Sequence, residues 1–131
     1  MVEFHGWITI HESVDEVDQG NLDDIVEGVK QHISNLNWNS HMLNIYSTNG
    51  EYHLSTGGLL NRKTSELLEI VNIYHMIAKK APGSYGLFYM RDDEDTEGFD
   101  NEFQVYVLSR GQLSIKKDNF LSPFVPKIED E

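Results

Sequence analysis

A dense run of acidic residues is the part of this sequence whose chemistry stands out. Positions 92–102 hold seven carboxylates among small, polar and aromatic residues: Asp92, Asp93, Glu94, Asp95, Glu97, Asp100 and Glu102. Neighbouring like charges repel one another, so such a run favours either a solvated loop or a surface that meets positive charge. Phe99 lies within the run and could anchor a contact whose charges speed association. We predict that these residues contact a basic partner.

Calcium binding and hydrolysis are two other chemistries that this run could serve. From Asp93 to Gly98, acids alternate and glycine is sixth, as in the calcium loop of an EF-hand. The twelfth position is Gln104, however, which offers no bidentate carboxylate, and the flanking segments predict strands instead of helices. A solvated loop also gives no pocket that would make one carboxylate an acid and another a base. The run therefore favours binding.

Histidines are the other residues that could hold a metal. The chain has six: His5, His11, His32, His41, His53 and His75. None lies in a His-Glu-x-x-His or His-x-His spacing, although His5, His11 and His53 could share one face of a sheet. The sequence also has no cysteine, nucleophile elbow, phosphate loop or dinucleotide fingerprint. We predict that the protein is not an enzyme and has no metal site or cofactor. A metal-dependent enzyme is the weakest of three interpretations of this sequence.

The overall charge limits the partners of this chain. Its 131 residues include 22 acidic and 10 basic side chains, which give a formal net charge of -12. Such a field repels phosphate backbones and anionic membranes, and it attracts basic proteins over roughly 8 Å at physiological salt. The alternative explanation of this charge is solubility, since many cytosolic proteins are acidic simply to stay in solution. We therefore predict a basic protein partner and no direct binding to nucleic acid or membrane. Because the sequence has no cysteine, no export signal and no apolar run long enough to span a membrane, we also predict a cytoplasmic location.

Hydrophobic periodicity and turn residues predict the elements. In chain order these are a strand over Glu3–His11, a helix from Asn21 to about Asn37, hairpin strands over Met42–Ser47 and Glu51–Thr56, a helix from near Lys63 to Lys80, and strands over Ser84–Arg91, Phe103–Leu108 and Gln112–Lys116. Asn49-Gly50 and Arg110-Gly111 are the predicted hairpin turns, and Gly57-Gly58 is expected to end a strand. The segment 12–20 is a polar connection, whose Asp15, Glu16 and Asp18 we add to the predicted partner contacts.

The element order predicts an α+β fold. The sequence β-α-β-β-α-β, with one or two extra C-terminal strands, matches a ferredoxin-like split βαβ sandwich. We expect one domain, residues 1–131, with the first strand inside the sheet and both helices on one face. A C-terminal tail from about 118 should lie on the surface, packed down by four apolar side chains: Phe120, Leu121, Phe124 and Val125.

The sheet face without helices should carry an aromatic set. Its predicted members are Trp7, Tyr46, Phe88, Met90 and Tyr106. Such sets stack RNA bases in some proteins, but this chain lacks the cations that base stacking needs beside them. A protein partner, self-association or cover by the tail therefore explains them better, and Trp7 by itself is more typical of a core.

Two short segments resemble a known family. Glu3-Phe4-His5-Gly6-Trp7 and Asp18-Gln19-Gly20-Asn21-Leu22 are similar to the start of the Immunity protein 7 family of bacterial polymorphic-toxin systems. The resemblance implies a small cytoplasmic α+β protein that binds and neutralises a cognate toxin domain. We therefore predict an immunity protein that occludes the active surface of a basic, nuclease-type toxin. The alternative is a homodimeric or small-molecule-binding ferredoxin-like module with no toxin partner.

Overall fold

One antiparallel sheet organises the protein. The computed structural model describes residues 1–14, 20–36, 42–61 and 65–130. Within these ranges the elements are β1 (Val2–Ile10), α1 (Leu22–Asn35), β2 (Leu43–Thr48), β3 (Glu51–Leu60), α2 (Ser65–Lys80), β4 (Tyr85–Asp92), β5 (Gln104–Ser109), β6 (Gln112–Lys117) and the short turn α3 (Phe124–Lys127). No helix in the described part of the chain is long and apolar enough to cross a membrane.

The strand order places β1 inside the sheet. The order is β2-β3-β1-β4-β5-β6, and each neighbouring pair is antiparallel. β1 therefore pairs with β3 on one side and with β4 on the other, as predicted. The α+β class is confirmed, while the finer ferredoxin-like arrangement stays a prediction.

Alternate residues of β1 face the helices and form the centre of the core. Four of them are at most 1% exposed: Val2, Phe4, Ile8 and Ile10. Val26 and Val29 of α1 belong to the same buried cluster, as do Ile70 and Tyr74 of α2. Since side chains alternate between the two faces of a strand, this burial assigns both helices to one face of the sheet. The other face of β1 carries Glu3, His5, Trp7 and Thr9.

Gly6 shows how closely α2 packs on β1. A Cβ at this position would collide with the hydroxyl of Tyr74 and would lie 2.9 Å from the ring of Phe88. The Tyr74 hydroxyl donates a hydrogen bond to the carbonyl of Leu87 at 2.9 Å. Burial raises the pKa of Tyr74 well above its ordinary value, so the hydroxyl keeps the proton that it donates. Glycine at position 6 therefore makes room for a tyrosine that ties α2 to the sheet.

β3 is longer than predicted. We expected Gly57-Gly58 to end this strand after Thr56, but β3 continues to Leu60. Gly58 pairs with Phe4 of β1, and a Cβ at Gly58 would lie 3.1 Å from the Phe4 ring. The glycine leaves space for a neighbouring aromatic ring, so it does not break the strand.

The predicted aromatic set on the helix-free face is partly wrong. Phe88 and Met90 are buried against the helices, and Tyr106 packs on the same core. The reason is register: Phe88 pairs with Gly6, so it shares the helix-covered face with its partner. β4 instead turns its other residues outward: Tyr85, Leu87 and Tyr89. The expectation that Trp7 belongs to the core is also wrong, because Trp7 is 45% exposed.

Both hairpin turns are confirmed. Asn49 and Gly50 have φ angles of 52° and 82°, and Arg110 and Gly111 have φ angles of 53° and 77°. Two successive positive φ angles are the geometry of the type I′ turn, which matches the twist of antiparallel strands.

Candidate partner-binding site

The acidic loop, residues 92–102, leaves the sheet beside the N-terminal end of β1. Asp92 ends β4 and pairs with Val2. The amino group of Met1 lies 2.6 Å from the Asp93 carboxylate, and the N–H of Asp93 donates to the Met1 carbonyl at 3.2 Å. The hydrogen bond to the Met1 amine lowers the pKa of Asp93 and raises that of the amine. Asp93 is thus already paired within the protein.

Two other carboxylates hold the loop in shape. Asp92 Oδ1 accepts a hydrogen bond from the N–H of Glu94 at 3.0 Å. Asp95 Oδ2 accepts from the N–H of Glu97 at 2.8 Å and from the N–H of Phe99 at 3.0 Å. Aspartates commonly order turns in this way. The acidic run is therefore a folded loop in which part of the negative charge satisfies the backbone.

Other predicted contact residues of the loop face solvent. Glu94, Glu97, Phe99 and Asp100 are exposed. Within the described part of the chain, the carboxylates of Glu97 and Asp100 form no hydrogen bond or ion pair. Glu102 is less available, because its side chain is 22% exposed and lies 3.9 Å from the Lys117 amine. Glu97, Phe99 and Asp100 are therefore the part of the loop best placed to meet a partner.

The C-terminal tail, residues 118–130, is tied to the acidic loop through Asn101. The Asn101 side chain donates to the Val125 carbonyl at 3.1 Å and accepts from the Val125 N–H at 2.8 Å. The backbone carbonyl of Asn101 accepts from the Phe124 N–H at 2.7 Å. Arg91 adds a cation–π contact, with its guanidinium 3.6 Å from the centre of the Phe124 ring. The loop and the tail therefore form one surface.

Asp118 shapes the start of the tail. Its carboxylate accepts hydrogen bonds from the N–H groups of Phe120 and Leu121 and from the Ser122 hydroxyl, at 2.9–3.0 Å. Ser122 Oγ in turn accepts from the N–H of Phe103 at 2.8 Å. Burial raises the pKa of Asp118, but these hydrogen bonds and the charge of Lys127 outweigh burial and lower it overall. An ionised carboxylate is thus built into this turn.

Sequence reasoning missed a cavity of about 400 Å³ beneath the tail, which we call the tail cavity. Its walls come from β1, β4, the end of the acidic loop and the tail: Glu3, His5, Tyr89, Phe103, Leu121, Phe124 and Ile128. Most of these side chains are apolar, and His5 Nε2 donates to the Glu3 carboxylate at 2.6 Å. The cavity could have been predicted from two features of the sequence, an apolar tail and Tyr89 on the helix-free face. Recognising it required the correct assignment of which β4 residues face away from the helices.

The predicted tail packing is only partly correct. Phe124 packs on Phe103, with ring centres 6.2 Å apart. Phe120, however, is 82% exposed and does not hold the tail down. It lies in the turn that Asp118 organises, where the backbone N–H groups of residues 120 and 121 donate to the Asp118 carboxylate.

The second group of predicted acids cannot be placed with the first. Asp15, Glu16 and Asp18 lie outside the described residues. The start of α1, which follows them, is near the far end of β1: Asp23 accepts a hydrogen bond from the Tyr52 hydroxyl, and Tyr52 pairs with Ile10. β1 has nine residues, so its ends are about 27 Å apart at roughly 3.4 Å per step. The acidic loop and the described start of α1 are therefore separate surfaces.

The part of the helix-free face beyond the tail carries exposed rings. We call Trp7, Tyr46, His53 and Tyr85 the aromatic patch. Trp7 and Tyr85 meet edge to face at 6.1 Å, Tyr46 and His53 lie 5.4 Å apart, and His53 is 3.4 Å from the Thr9 hydroxyl. The predicted histidines His5, His11 and His53 share this face, as expected, and the His11 ring lies 5.7 Å from that of Tyr85. Nowhere in residues 1–14, 20–36, 42–61 and 65–130 do three metal-ligating side chains come together.

Comparison with known proteins gives the family. The model of the Immunity protein 7 family matches residues 1–130. Searches of curated proteins and of solved structures gave no match. The match covers nearly the whole chain, including the acidic loop and the tail, and agrees with the N-terminal segments that first suggested it. This chain therefore belongs to the Immunity protein 7 family.

Proposed function

We propose that this protein binds a cognate toxin domain and neutralises it by covering its active surface. The toxin surface that we infer is basic, as in the substrate groove of a nuclease. The family match supports the immunity role, and the observation that carries the binding mode is the folded acidic loop, which presents Glu97, Phe99 and Asp100 to solvent. An inhibitor that acts by occlusion needs complementarity and no catalytic group.

The electrostatics support fast association with such a surface. The net charge of -12 extends the attraction to a basic partner over about a Debye length, roughly 8 Å at physiological salt. A loop held by its own aspartates also loses little conformational freedom when it binds, because its backbone is already ordered. Both effects favour rapid binding to a toxin that must be stopped before it acts.

The experiment compares two charge-matched variants. Glu97→Gln with Asp100→Asn removes two exposed carboxylates from the acidic loop, whereas Asp24→Asn with Glu27→Gln removes two exposed carboxylates from α1. The probe is the purified cognate toxin domain, which we seek in the product of the gene immediately upstream. We expect the loop variant to lower the association rate constant about tenfold at low salt and to flatten its salt dependence, while the α1 variant changes it less than twofold.

Two results would contradict the proposal. Wild-type protein that neither binds this toxin domain nor inhibits its activity would remove the immunity role. Equal slowing by the loop and α1 variants would remove the loop as the principal contact, because either total charge or a contact at the start of α1 would then account for the slowing. Asp95→Asn is unsuitable for this test, because Asp95 also holds the backbone of the loop.

The alternative is a homodimeric or small-molecule-binding module of ferredoxin-like type. The exposed rings of the aromatic patch favour it, and the order β2-β3-β1-β4 supports the ferredoxin-like assignment. This alternative expects a dimer in light scattering and an association with little dependence on salt. A monomer at high protein concentration, with salt-dependent toxin binding, would exclude the dimer.

A further inference from the structure

The tail cavity is concave and is lined mostly by apolar side chains. Its volume of about 400 Å³ lies within the range of pockets that hold ligands. Phe103 on its floor is 4% exposed, whereas Leu121 and Ile128 at its wall are 45% and 48% exposed. Large apolar side chains left half exposed around a pocket are typical of contact sites.

The tail cavity is joined to the acidic loop. Phe103 also lines a second cavity of about 290 Å³, which it shares with Phe99 and Glu102 of the loop. Asn101 holds the tail against the loop through three hydrogen bonds to backbone atoms of the tail. A partner drawn to Glu97 and Asp100 would therefore meet the tail cavity in the same encounter.

The charge beside the cavity selects the kind of partner. The Glu3 carboxylate is part of its wall, and Glu129 and Asp130 follow Ile128 in the chain. Two cations near the cavity are bound within the protein, since Arg91 donates to the Asp100 carbonyl at 3.1 Å and Lys127 donates to the Asn119 carbonyl at 2.9 Å. Lys117, which lines the adjoining cavity together with Lys116, lies 3.9 Å from the Glu102 carboxylate. An apolar floor with an acidic rim is complementary to an apolar side chain flanked by lysine or arginine.

We propose that the tail cavity receives an apolar side chain from the basic surface of the toxin and acts as the anchor of the complex. This proposal rests on the proposed function and locates the contact that holds the complex after the acidic loop has attracted it. Anchors of this kind dominate the dissociation rate, whereas exposed charges dominate the association rate.

Adjacent tail residues give a matched test. Leu121 lines the cavity and Phe120 does not, although Phe120 is the more exposed and the larger. With the upstream-encoded toxin domain as the probe, we expect Leu121→Ala with Ile128→Ala to raise the dissociation rate constant at least tenfold and to leave the association rate and its salt dependence unchanged. Phe120→Ala should change both rates less than twofold.

A variant that fills the tail cavity tests whether the alanine substitutions act only by loosening the tail. Ile128→Trp adds bulk at the half-exposed wall without removing apolar contact, so it should also raise the dissociation rate at least tenfold while the thermal unfolding midpoint stays within about 2 °C of wild type. Equal effects of the Leu121 and Phe120 substitutions would overturn the anchor, since they would reflect general hydrophobicity.

Failure of the anchor and failure of the immunity role give different results. Wild-type protein that binds the toxin with kinetics insensitive to Leu121, Ile128 and the filling variant would overturn the anchor alone. Wild-type protein that does not bind the toxin would overturn both. A wild-type dimer that Leu121→Ala with Ile128→Ala makes monomeric would assign the cavity to a second copy of this chain and overturn the proposal.

Discussion

The two faces of the sheet differ in burial, and two adjacent residues of β3 show the difference. Leu54 is fully buried on the helix-covered face, where it pairs with Ile8, while the next residue, Ser55, is exposed on the other. The helix-covered face is held by the packing of apolar side chains. At the acidic end of the sheet, the side-chain oxygens of Asp92, Asp95 and Asn101 hold the surface by accepting hydrogen bonds from backbone N–H groups. The first arrangement stabilises the fold, and the second shapes a surface.

Truncation of Leu54 should have the largest effect on stability. Leu54→Ala leaves a cavity in the core, and we expect it to lower the free energy of unfolding by roughly 2–5 kcal/mol. Urea unfolding followed by circular dichroism measures this loss. Ser55→Ala is the matched control and should stay within about 0.5 kcal/mol of wild type. Similar losses for the two variants would contradict the division between the faces.

Addition of one methyl group at Gly6 should come next. Gly6→Ala drives a Cβ into the Tyr74 hydroxyl and should cost roughly 1–3 kcal/mol of unfolding free energy. Tyr74→Phe removes the atom that collides, so the double variant should lose less than the sum of the two single losses. A double-mutant cycle in urea measures that coupling. Strict additivity would show that the close approach of α2 to β1 is not the cause.

Neutralisation of Asp118 should have a smaller effect, confined to the tail. Asp118→Asn weakens three hydrogen bonds and should cost about 1–2 kcal/mol. Amide hydrogen exchange should become faster at Phe120, Leu121 and Phe103 while amides of β1 keep their protection. Asp130→Asn, which is exposed, is the control. Loss of protection throughout β1 would show that the tail is part of the core.

The same residue predicts a pH dependence. The pKa of Asp118 is lower in the folded protein than in the unfolded chain, so its ionisation stabilises the fold above the unfolded value of about 3.9. That contribution is lost as the pH falls through the lowered folded pKa. Asp118→Asn should therefore be destabilised relative to wild type at pH 7 and much less so near pH 2. An equal difference at both pH values would contradict this assignment.

Truncation of Trp7 should have the smallest effect. Trp7 is 45% exposed in the aromatic patch, and its main ring contact is the edge-to-face pair with Tyr85. Trp7→Ala should lower the unfolding free energy by less than about 1 kcal/mol and leave toxin affinity within twofold of wild type. Surface plasmon resonance measures the affinity. A tenfold loss would move the toxin contact from the acidic end to the aromatic patch.

Local patterns were enough to predict the elements. The type I′ turn at Asn49-Gly50 follows from the positive φ that both residues accept, the turn at Arg110-Gly111 was predicted from its glycine, and the first helix begins directly after Asn21, as predicted. Asn21 forms no side-chain hydrogen bond as a cap, however. The spacing of the apolar residues was therefore enough to place this helix.

The errors arose where a residue's role depends on a neighbouring strand. Gly57-Gly58 has the appearance of a break until the ring of Phe4 is known to lie beside it. Phe88 and Tyr89 are adjacent aromatics, and only the pairing of Phe88 with Gly6 decides which of them meets the helices. The tail cavity depends on both the register of β4 and the path of the tail. No single segment of sequence contains that information.

The attachment of the tail has a consequence for how this protein can diverge. Asn101 forms hydrogen bonds with main-chain atoms of Phe124 and Val125, and the Asp118 carboxylate accepts hydrogen bonds from the main-chain N–H groups of Phe120 and Leu121. The side chains of residues 120, 121 and 128 can therefore be exchanged without loss of these attachments. A lineage could change the partner that it recognises by substitutions in this short tail while the helix-covered core stays the same.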